Sequence, residues 1–541
     1  MAVLNPSEIV ERIYKRVPGH IRRTFAATFI LGLIIHLFML TNKLPNPDDL
    51  GQLIDHMHRP NSGRWFQFFP AAISSNFSMP AVNGVLAILY ISIAACLIAA
   101  LFRITQTTYC ILLGAVMVSF PTVASTLGYM NAADAYAFSL LLACLAAMVA
   151  DKYTFGFLFA IPLLTLSLGV YQAYFGVAAA LMVSVLILRI LQNQNEIREI
   201  IIQGVKFLAA LLLGLLAYLL MVRLTATNLT DYMGISDMGS IALRDLPGLV
   251  LGAYRNAFDF FFRNAFSFHL PFMKAVFFAA ALAALSLVLI LVVKREIYKS
   301  LTRLALLIVL LAVLPLAANI IYVMAKEQVH LLMIYGLVVL FGLALALVAE
   351  VTTVVWDKPV FHYWTAGGSI IVCLTVLLSS YNYALVSNQA YLKLNMVYEQ
   401  GYAYTNRLIS RIQAAPDYDD DMDIIFIGEA TLPPGGLTDL PREAPESRRK
   451  TVFKPITGME FVEAPQLSKI AGLTNGITTS TFNLKNFMHH YLGFNQPFEV
   501  QKAEQLDEEL ALVVAEMAVY PDDGSIVVIE DQILIKFSEI D

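Results

Sequence analysis

The chain has 541 residues, of which 58% are hydrophobic and 14% are charged, and its formal net charge is −5. Its mean hydropathy of +0.67 excludes an ordinary water-soluble enzyme and indicates a polytopic α-helical membrane protein. A net negative charge gives no basic surface for nucleic acid. The four cysteines all lie in apolar runs, so neither a disulfide framework nor a thiolate metal site is predicted.

The first apolar stretch follows Lys15, Arg16, Arg22 and Arg23 and has no small-residue cleavage site after it, which predicts an uncleaved signal anchor. A bilayer crossing needs about 20 apolar residues. By that measure the sequence predicts about eleven transmembrane helices, at 24–41, 80–102, 107–127, 134–150, 153–170, 174–191, 203–222, 272–293, 304–323, 328–349 and 363–383.

Basic residues mark one set of loop ends, which the positive-inside rule assigns to the cytoplasm. They are the N-terminal residues and Arg103, Arg189, Arg198, Lys294, Arg295, Lys299 and Arg303. An odd number of spans then places the tail on the outer face. The predicted organisation is a cytoplasmic N-terminus (1–23), a transmembrane domain (24–383) with long outer loops at 42–79 and 223–271, and an outer tail (384–541). In the second loop, a Phe-rich stretch around 254–268 suggests helices lying in the membrane interface.

The tail has the pattern of a small mixed α/β domain. A helix is predicted at 391–412, leading off the last span, and two more at 482–491 and 504–518. Short apolar runs predict strands at 424–427, 525–529 and 532–537, the last two joined by a turn at 530–531.

Two adjacent acids, Asp48 and Asp49, follow the first span in the stretch Asn46-Pro47-Asp48-Asp49. One interpretation is a polar helix exit with two solvated carboxylates. The other is a general base that deprotonates an acceptor hydroxyl, with the neighbouring acid tuning or orienting it. Pro45 and Pro47 favour a fixed turn at this point.

Arg64 lies in the same outer loop, within Gly63-Arg64-Trp65. It is either an interfacial arginine beside a membrane-belt tryptophan or a bidentate ligand for a phosphate group.

Polar residues also mark the outer ends of later spans. Asn131 and Asp134 open the fourth span, where an acid caps the helix or faces a sugar-binding cavity. Tyr171 and Gln172, in Gly-Val-Tyr-Gln-Ala-Tyr, lie at the next outer turn and belong either to an aromatic belt or to the wall of a cavity.

Four basic side chains are further candidates for a phosphate site. Lys326 and His330 lie at the outer turn after the ninth span, where an exposed loop with a snorkelling lysine is the alternative. Arg255 and Arg263 lie in the second outer loop, each four residues from Asp259, so a surface salt bridge explains them equally well.

The sequence contains no Gly-rich phosphate loop after a strand and no paired Cys/His zinc spacing. An enzyme of this composition needs no nucleotide if the membrane itself delivers an activated donor.

Taken together, these motifs resemble the type-II O-antigen glucosyltransferase (serotype-conversion) family, within the membrane glycosyltransferases of the GT-C fold. The resemblance rests on the basic N-terminus and first span, Asn-x-Asp-Asp, Gly-Arg-Trp, Asn-x-x-Asp at the fourth span, Tyr-Gln-Ala-Tyr after the fifth, the late Lys/His turn and the outer tail. It covers about 20–410 and, more loosely, the tail.

The resemblance implies a multi-pass protein of the bacterial inner membrane that moves a sugar, glucose in this family, from a polyprenyl-phosphate donor to an O-antigen or other surface glycan on the periplasmic side, with inversion. It also implies that an acidic residue acts as the general base. This residue is Asp49, with Asp48 as its partner, or the reverse. Arg64, Lys326 and His330 are then candidates for the carrier phosphate. No cofactor is expected, because phosphate already leaves well; a divalent ion held by the paired acids is the minority hypothesis.

Two other functions compete with this one. A transporter or flippase of lipid-linked sugar predicts ionisable groups in mid-span and broken helices at the midplane, whereas the charges here cluster at the outer ends. An O-antigen polymerase or ligase also has many spans and long outer loops, and would rely on outer-loop arginines more than on an acid after the first span.

Overall fold

The computed structural model describes residues 5–45, 47–50, 59–226, 242, 244–263, 269–270, 272–326, 329–354, 359–428, 481–501 and 508–538. The chain forms two compact units. The first contains the chain up to Asn42 and Ile54–Asn388, and the second contains Lys43–Leu53 and nearly all of the chain from Gln389 onward. The predicted outer loop 42–79 is therefore divided between the two units, which are described separately.

The helices of the described residues, in chain order, are α1 Pro6–Arg16, α2 Gly19–Thr41, α3 Pro47–Leu50, α4 Phe68–Ala71, α5 Pro80–Leu101, α6 Thr107–Ser119, α7 Pro121–Gly128, α8 Ala133–Lys152, α9 Gly156–Val170, α10 Phe175–Gln192, α11 Ile197–Thr225, α12 Leu246–Phe258, α13 Met273–Lys294, α14 Leu301–Ala318, α15 Ile320–Met324, α16 Val338–Val351, α17 Pro359–Gln413, α18 Thr481–Leu492 and α19 Glu508–Glu516. The strands are β1 Asp423–Ile427, β2 Phe498–Gln501, β3 Ile526–Ile529 and β4 Gln532–Lys536.

Each of the eleven predicted spans overlaps at least one apolar helix of the described residues, but not every one is a single full-length helix. Among the described residues, eight helices are long and apolar enough to cross a bilayer, and the bent pair α6 and α7 makes a ninth if it is one span. Two further apolar helices, Gly156–Val170 and Tyr335–Val351, are shorter than a full crossing. The fold is that of a polytopic helical membrane protein, and the exact number of crossings stays a prediction.

Several predicted spans are interrupted where the sequence forces a break. The chain bends by 42° between α6 and α7, where Pro121 opens the second helix and has no backbone N–H to continue the first. The predicted span 304–323 is divided at Asn319, between α14 and α15. The predicted span 328–349 begins with two short 3₁₀ turns before α16.

The loops predicted to be cytoplasmic meet at one end of the first unit. The Arg295 guanidinium donates to the Leu191 carbonyl at 2.8 Å and pairs with Glu350 at 2.5 Å. Arg303 donates to the Asn195 carbonyl at 2.7 Å. These contacts agree with a common side for the two basic loops, and the assignment of that side to the cytoplasm stays a prediction.

The Phe-rich segment differs from the interfacial helix that its sequence predicts. A π-helical turn, Asp259–Arg263, follows α12. Within it Phe260 is fully buried and contacts the rings of Phe120 and His269. The apolar residues are too continuous for one lipid-facing stripe, so part of this segment packs into the unit. Phe266 and Phe268 lie outside the described residues.

The second unit is a small α/β layer structure, as its pattern predicts. The sheet has the strand order β2-β1-β4-β3, with β1 parallel to both neighbours and β3 antiparallel to β4. Residues of α17 and α18 cover one face of the sheet and α19 covers the other. Strand β2, which pairs with β1, was not predicted, and the predicted helix 504–518 is observed as Glu508–Glu516, its first four residues lying outside the described chain.

The last predicted span and the helix expected to follow it are one continuous helix. Helix α17 runs from Pro359 to Gln413 without a break, over 55 residues. No proline and no turn sequence lies between the predicted segments 363–383 and 391–412, so nothing in the local sequence ends the helix.

Candidate functional site

Arg64 is the centre of a cluster in the first unit that joins two of the predicted motifs with Tyr136 of helix α8. Its Nη1 donates to the Tyr136 hydroxyl at 2.9 Å. Its guanidinium carbon lies 5.1 Å from the ring centre of Tyr171 and 5.6 Å from that of Tyr136. The two tyrosine rings are stacked with their centres 4.3 Å apart. A half-buried cation is thus held by a hydroxyl and the faces of two aromatic rings.

Gln172 fixes the loop that presents Arg64. Its Nε2 donates to the Ser62 carbonyl at 3.1 Å and to the Tyr218 hydroxyl at 2.9 Å. Gly63 ends the 3₁₀ turn with φ +70°, a left-handed conformation that favours glycine. A β-carbon there would clash with the Tyr218 hydroxyl and lie 2.9 Å from Gln172 Nε2. The close packing therefore requires glycine beside Arg64.

Trp65 packs against the motif that contains Tyr171. A β-carbon on Gly169 would lie 2.7 Å from Trp65 Cε2, so the indole occupies the space that the glycine leaves. The Phe66 amide donates to the Gly169 carbonyl at 2.8 Å. The Gly-Arg-Trp and Gly-Val-Tyr-Gln motifs, about a hundred residues apart in sequence, therefore fit directly onto each other.

Asp134 is buried on the helix that also carries Tyr136, and Asn131 is buried just before that helix begins. Asp134 is not the N-cap that one interpretation predicted, because α8 begins at Ala133. Its Oδ1 instead accepts hydrogen bonds from Asn83 Nδ2 at 3.3 Å and from the Ala135 amide at 3.0 Å. Asn131 lies in the preceding 3₁₀ turn and is 4% exposed. The acid joins α8 to α5, two residues before the tyrosine that holds Arg64.

Lys326 and His330 lie on a different segment of the first unit. Lys326 follows α15 with φ +45° and is half-buried. His330 precedes a 3₁₀ turn that is fixed to α7, because the Thr122 hydroxyl donates to the Leu331 carbonyl at 2.7 Å. Burial lowers the pKa of His330 below its usual 6.5. The neutral imidazole can donate a hydrogen bond to a phosphate and brings no positive charge.

Arg255 and Arg263 line a cavity of about 770 Å³ between α12, the π-helical turn and helices α13, α14, α16 and α17. Almost all of its lining residues are apolar, and the charged ones are Arg255, Asp259 and Arg263. Arg263 Nε lies 3.4 Å from Asp259 Oδ1, the salt bridge that the sequence allowed. The size is within the range of ligand cavities, roughly 300–1,000 Å³.

A row of aromatic rings connects the Arg64 cluster with this cavity. Neighbouring ring centres are 4.8–6.0 Å apart from the stacked pair to the cavity wall, in the order Tyr171, Tyr174, Tyr335, Phe120, Phe260 and Phe261. Phe261 lines the cavity together with Phe277 and Phe341. The first unit therefore has a polar, cationic region and an apolar one joined by contiguous rings.

Asp49 lies in the second unit, in the short helical turn α3. Its side chain is 0% exposed, which contradicts the interpretation of a solvated helix exit. Burial lowers the pKa of Lys43, and the negative charge of Asp49 opposes this shift. Leu50 is also fully buried and packs with Phe487 of α18. Asp48 belongs to the same turn, and its side chain lies outside the described part of the structure.

The sequence did not identify Tyr136, Tyr218 or Asn83 as site residues. Each is a polar side chain inside a predicted apolar span, which was the signal available. Within the described residues, no three His, Cys, Asp or Glu side chains come close enough to share a metal ion. The expected independence of metal stays a prediction.

The many apolar helices define a polytopic membrane protein. Its buried polar side chains include the clusters around Arg64 and Asp134. The family model described as "Glucosyl transferase GtrII" matches residues 37–341, more than half of the chain. The chain belongs to the GtrII glucosyl transferase family, as its motifs had indicated. No curated protein and no solved structure matches it. It is a membrane glucosyltransferase, and such an enzyme needs a sugar donor and a glycan acceptor.

Gly63→Ala tests the packing that presents Arg64. The substitution places a β-carbon in a left-handed backbone conformation against the Tyr218 hydroxyl, and such strain costs roughly 1–3 kcal/mol. We expect a lower unfolding temperature of the detergent-purified protein. Gly248→Ala is the control, because a β-carbon there meets nothing within 4 Å in helix α12. Equal unfolding temperatures for the two variants would contradict the proposed constraint.

Proposed function

We propose that this enzyme transfers glucose from a polyprenyl-phosphate carrier to an O-antigen or other surface glycan, on the periplasmic face of the bacterial inner membrane, with inversion at the anomeric carbon. The observation that carries the proposal is the convergence of the Gly-Arg-Trp motif, the Tyr-Gln-Ala-Tyr motif and Tyr136 of α8 around Arg64 in a membrane protein of the GtrII family. The N-terminus is then cytoplasmic and the second unit periplasmic.

Arg64 is the proposed ligand of the carrier phosphate. As the bond between the anomeric carbon and the phosphate oxygen breaks, negative charge grows on the phosphate. A guanidinium that is already oriented by Tyr136 and Tyr171 stabilises that charge without reorganising during the reaction. Lys326 and Arg255 are further candidates, and His330 contributes as a neutral hydrogen-bond donor. Asn131, Asp134 and Gln172 are proposed to shape the sugar-binding region.

The 770 Å³ cavity is the proposed site of the isoprenoid chain of the donor. An amphiphilic donor needs an apolar site for its chain and a cation for its phosphate, and the aromatic row joins two such regions in the first unit. Arg255 and Arg263 supply positive charge at the lining of the cavity. Aromatic rings along the row also suit contact with the apolar faces of isoprene units.

Asp49 is the proposed general base, with Asp48 as its neighbour. The proton of the acceptor hydroxyl moves to the Asp49 carboxylate while the acceptor oxygen bonds to the anomeric carbon. The carrier phosphate leaves with the electron pair of the broken bond. The carboxylate is fully buried, so the acceptor hydroxyl must gain access to it before the proton moves. A fixed carboxylate that is removed from water is a stronger base than a solvated one.

Asp49→Asn tests the base. We expect transfer of glucose from purified lipid-linked donor to acceptor glycan to fall by about 10²–10⁴-fold, because the amide cannot take the proton. Thermal unfolding checks that the variant is folded, and NMR of the wild-type product reports the anomeric configuration. Asp48→Asn is the matched variant. If both variants transfer glucose at the wild-type rate, neither acid is the base.

Arg64→Lys tests the phosphate ligand. Lysine keeps the charge and loses the planar fork that contacts Tyr136 while lying over Tyr171. Loss of a charge-assisted hydrogen bond in the transition state predicts a fall of about 10–100-fold in kcat. Arg198→Lys, at an exposed position of α11, is the control and should leave kcat unchanged. A wild-type kcat for Arg64→Lys would rule out the proposed role.

Ala344→Phe tests the cavity. Ala344 lines it, and a phenyl ring there occupies space that the isoprenoid chain would need. We expect the KM for a long-chain donor to rise several-fold, while a donor analogue with a very short chain is unaffected. Ala100→Phe, on an exposed position of α5, is the matched control. If the KM changed equally for both donors, or did not change for the long-chain donor, the isoprenoid chain would bind outside this cavity.

A further inference from the structure

The turn that carries Asp49 is held by helix α18, which lies far outside the matched family region. Leu50 and Phe487 are both 0% exposed and pack together, with Tyr398, Tyr491 and Leu492 around them. The rings of Phe487 and Tyr491 are stacked with centres 5.0 Å apart, and Tyr398 meets Phe487 at 6.1 Å. A buried leucine that packs against an aromatic cluster helps to fix the position of its turn through close packing.

Tyr491 also interacts electrostatically with the acid next to Leu50. Burial raises the pKa of the Tyr491 phenol above its usual value of 10, and the negative charge of Asp49 raises it further. The phenol is therefore neutral at working pH and keeps its proton. Its hydroxyl is buried and has no hydrogen-bond partner among the described residues. A buried hydroxyl of this kind is available as a hydrogen-bond donor to a neighbouring acid.

We infer that Tyr491 is a positioning residue for the proposed base, and that helix α18 is the element through which the C-terminal chain takes part in catalysis. The neutral Tyr491 hydroxyl is a hydrogen-bond donor for the Asp49 carboxylate when the acceptor enters and the turn adjusts. Phe487 holds the turn against α18 through Leu50. The inference rests on the proposed role of Asp49 as base.

Helix α18 and the aromatic residues that pack around Leu50 lie beyond the region that the family model matches. The matched region ends at residue 341, whereas α18 spans Thr481–Leu492. The alternative is that α18 serves only the core of the second unit, where Leu484 and Met488 pack against the sheet. These two residues lie on one side of α18, and Phe487 and Tyr491 form the separate cluster with Leu50. Helix α18 thus packs against the sheet with one side and against Leu50 with another.

Other ionisable groups near this cluster bear on its pH dependence. Lys43 precedes the turn and interacts with Asp49, and Tyr398 faces the cluster from α17. Helix α18 also carries Lys485, His489 and His490, which are exposed to solvent. Partial desolvation and the neighbouring His489 lower the pKa of His490. A change confined to Tyr491 leaves all of these in place.

Tyr491→Phe is the decisive variant, because it keeps the ring and its packing and removes only the hydroxyl. We expect kcat to fall by about tenfold, the loss of one hydrogen bond to a charged group, with the KM for the donor unchanged. The acid limb of the pH–rate profile should move to higher pH, because a carboxylate that loses a donor holds its proton more tightly. Tyr404→Phe, in the separate core of the same unit, is the matched control.

A double variant separates positioning from a merely structural effect. In the Asp49→Asn background, Tyr491→Phe should cause no further loss, because the group that it positions is gone. Phe487→Leu should lower kcat in the same way, provided that thermal unfolding shows it to be folded. A wild-type kcat and pH profile for Tyr491→Phe would overturn the inference while leaving the base intact. Activity of Asp49→Asn would instead overturn the base itself.

Discussion

A guanidinium group that leaves water must find its partners within the protein, and the Arg64 cluster is the solution that this chain adopts. One hydroxyl and two aromatic faces take the place of solvent around the cation. The rest of the arrangement follows from that need. Tyr136 must come from α8, Tyr171 from the turn after α9, and the loop that presents Arg64 must pass close enough to require glycine at position 63. Two helices and one loop are therefore fixed relative to one cation.

The same cluster joins the polar region of the first unit to the apolar cavity, the two regions that we propose bind the donor. Tyr171 belongs both to the cation site and to the row of rings that ends at the cavity wall. An amphiphilic substrate has the same division between a charged group and an apolar chain. A soluble sugar nucleotide would need neither the cavity nor the row, and the sequence has no motif to bind one.

In the second unit, the turn that carries the proposed base is packed against chain outside the region that the family model matches. Its proposed base comes from residues 43–53, and the helix that holds it comes from residues beyond 480. A carboxylate on a free loop would sample many positions and would be solvated. Packing of Leu50 against Phe487 limits that freedom, and Asp49 beside it is fully buried, which suits the proposed general base.

The sequence by itself determined the class of protein, the apolar segments and most elements of the α/β tail, because hydropathy and residue periodicity are local properties. It also singled out Arg64, Tyr171, Gln172 and Asp49 as unusual polar residues near membrane segments. Only the tertiary structure decided that Tyr136 and Tyr218 complete the Arg64 cluster, that Asp134 joins two helices, and that Asp49 belongs with α18. These pairings join residues from about 50 to more than 400 positions apart, and such contacts depend on how helices pack and leave no periodic trace in the sequence.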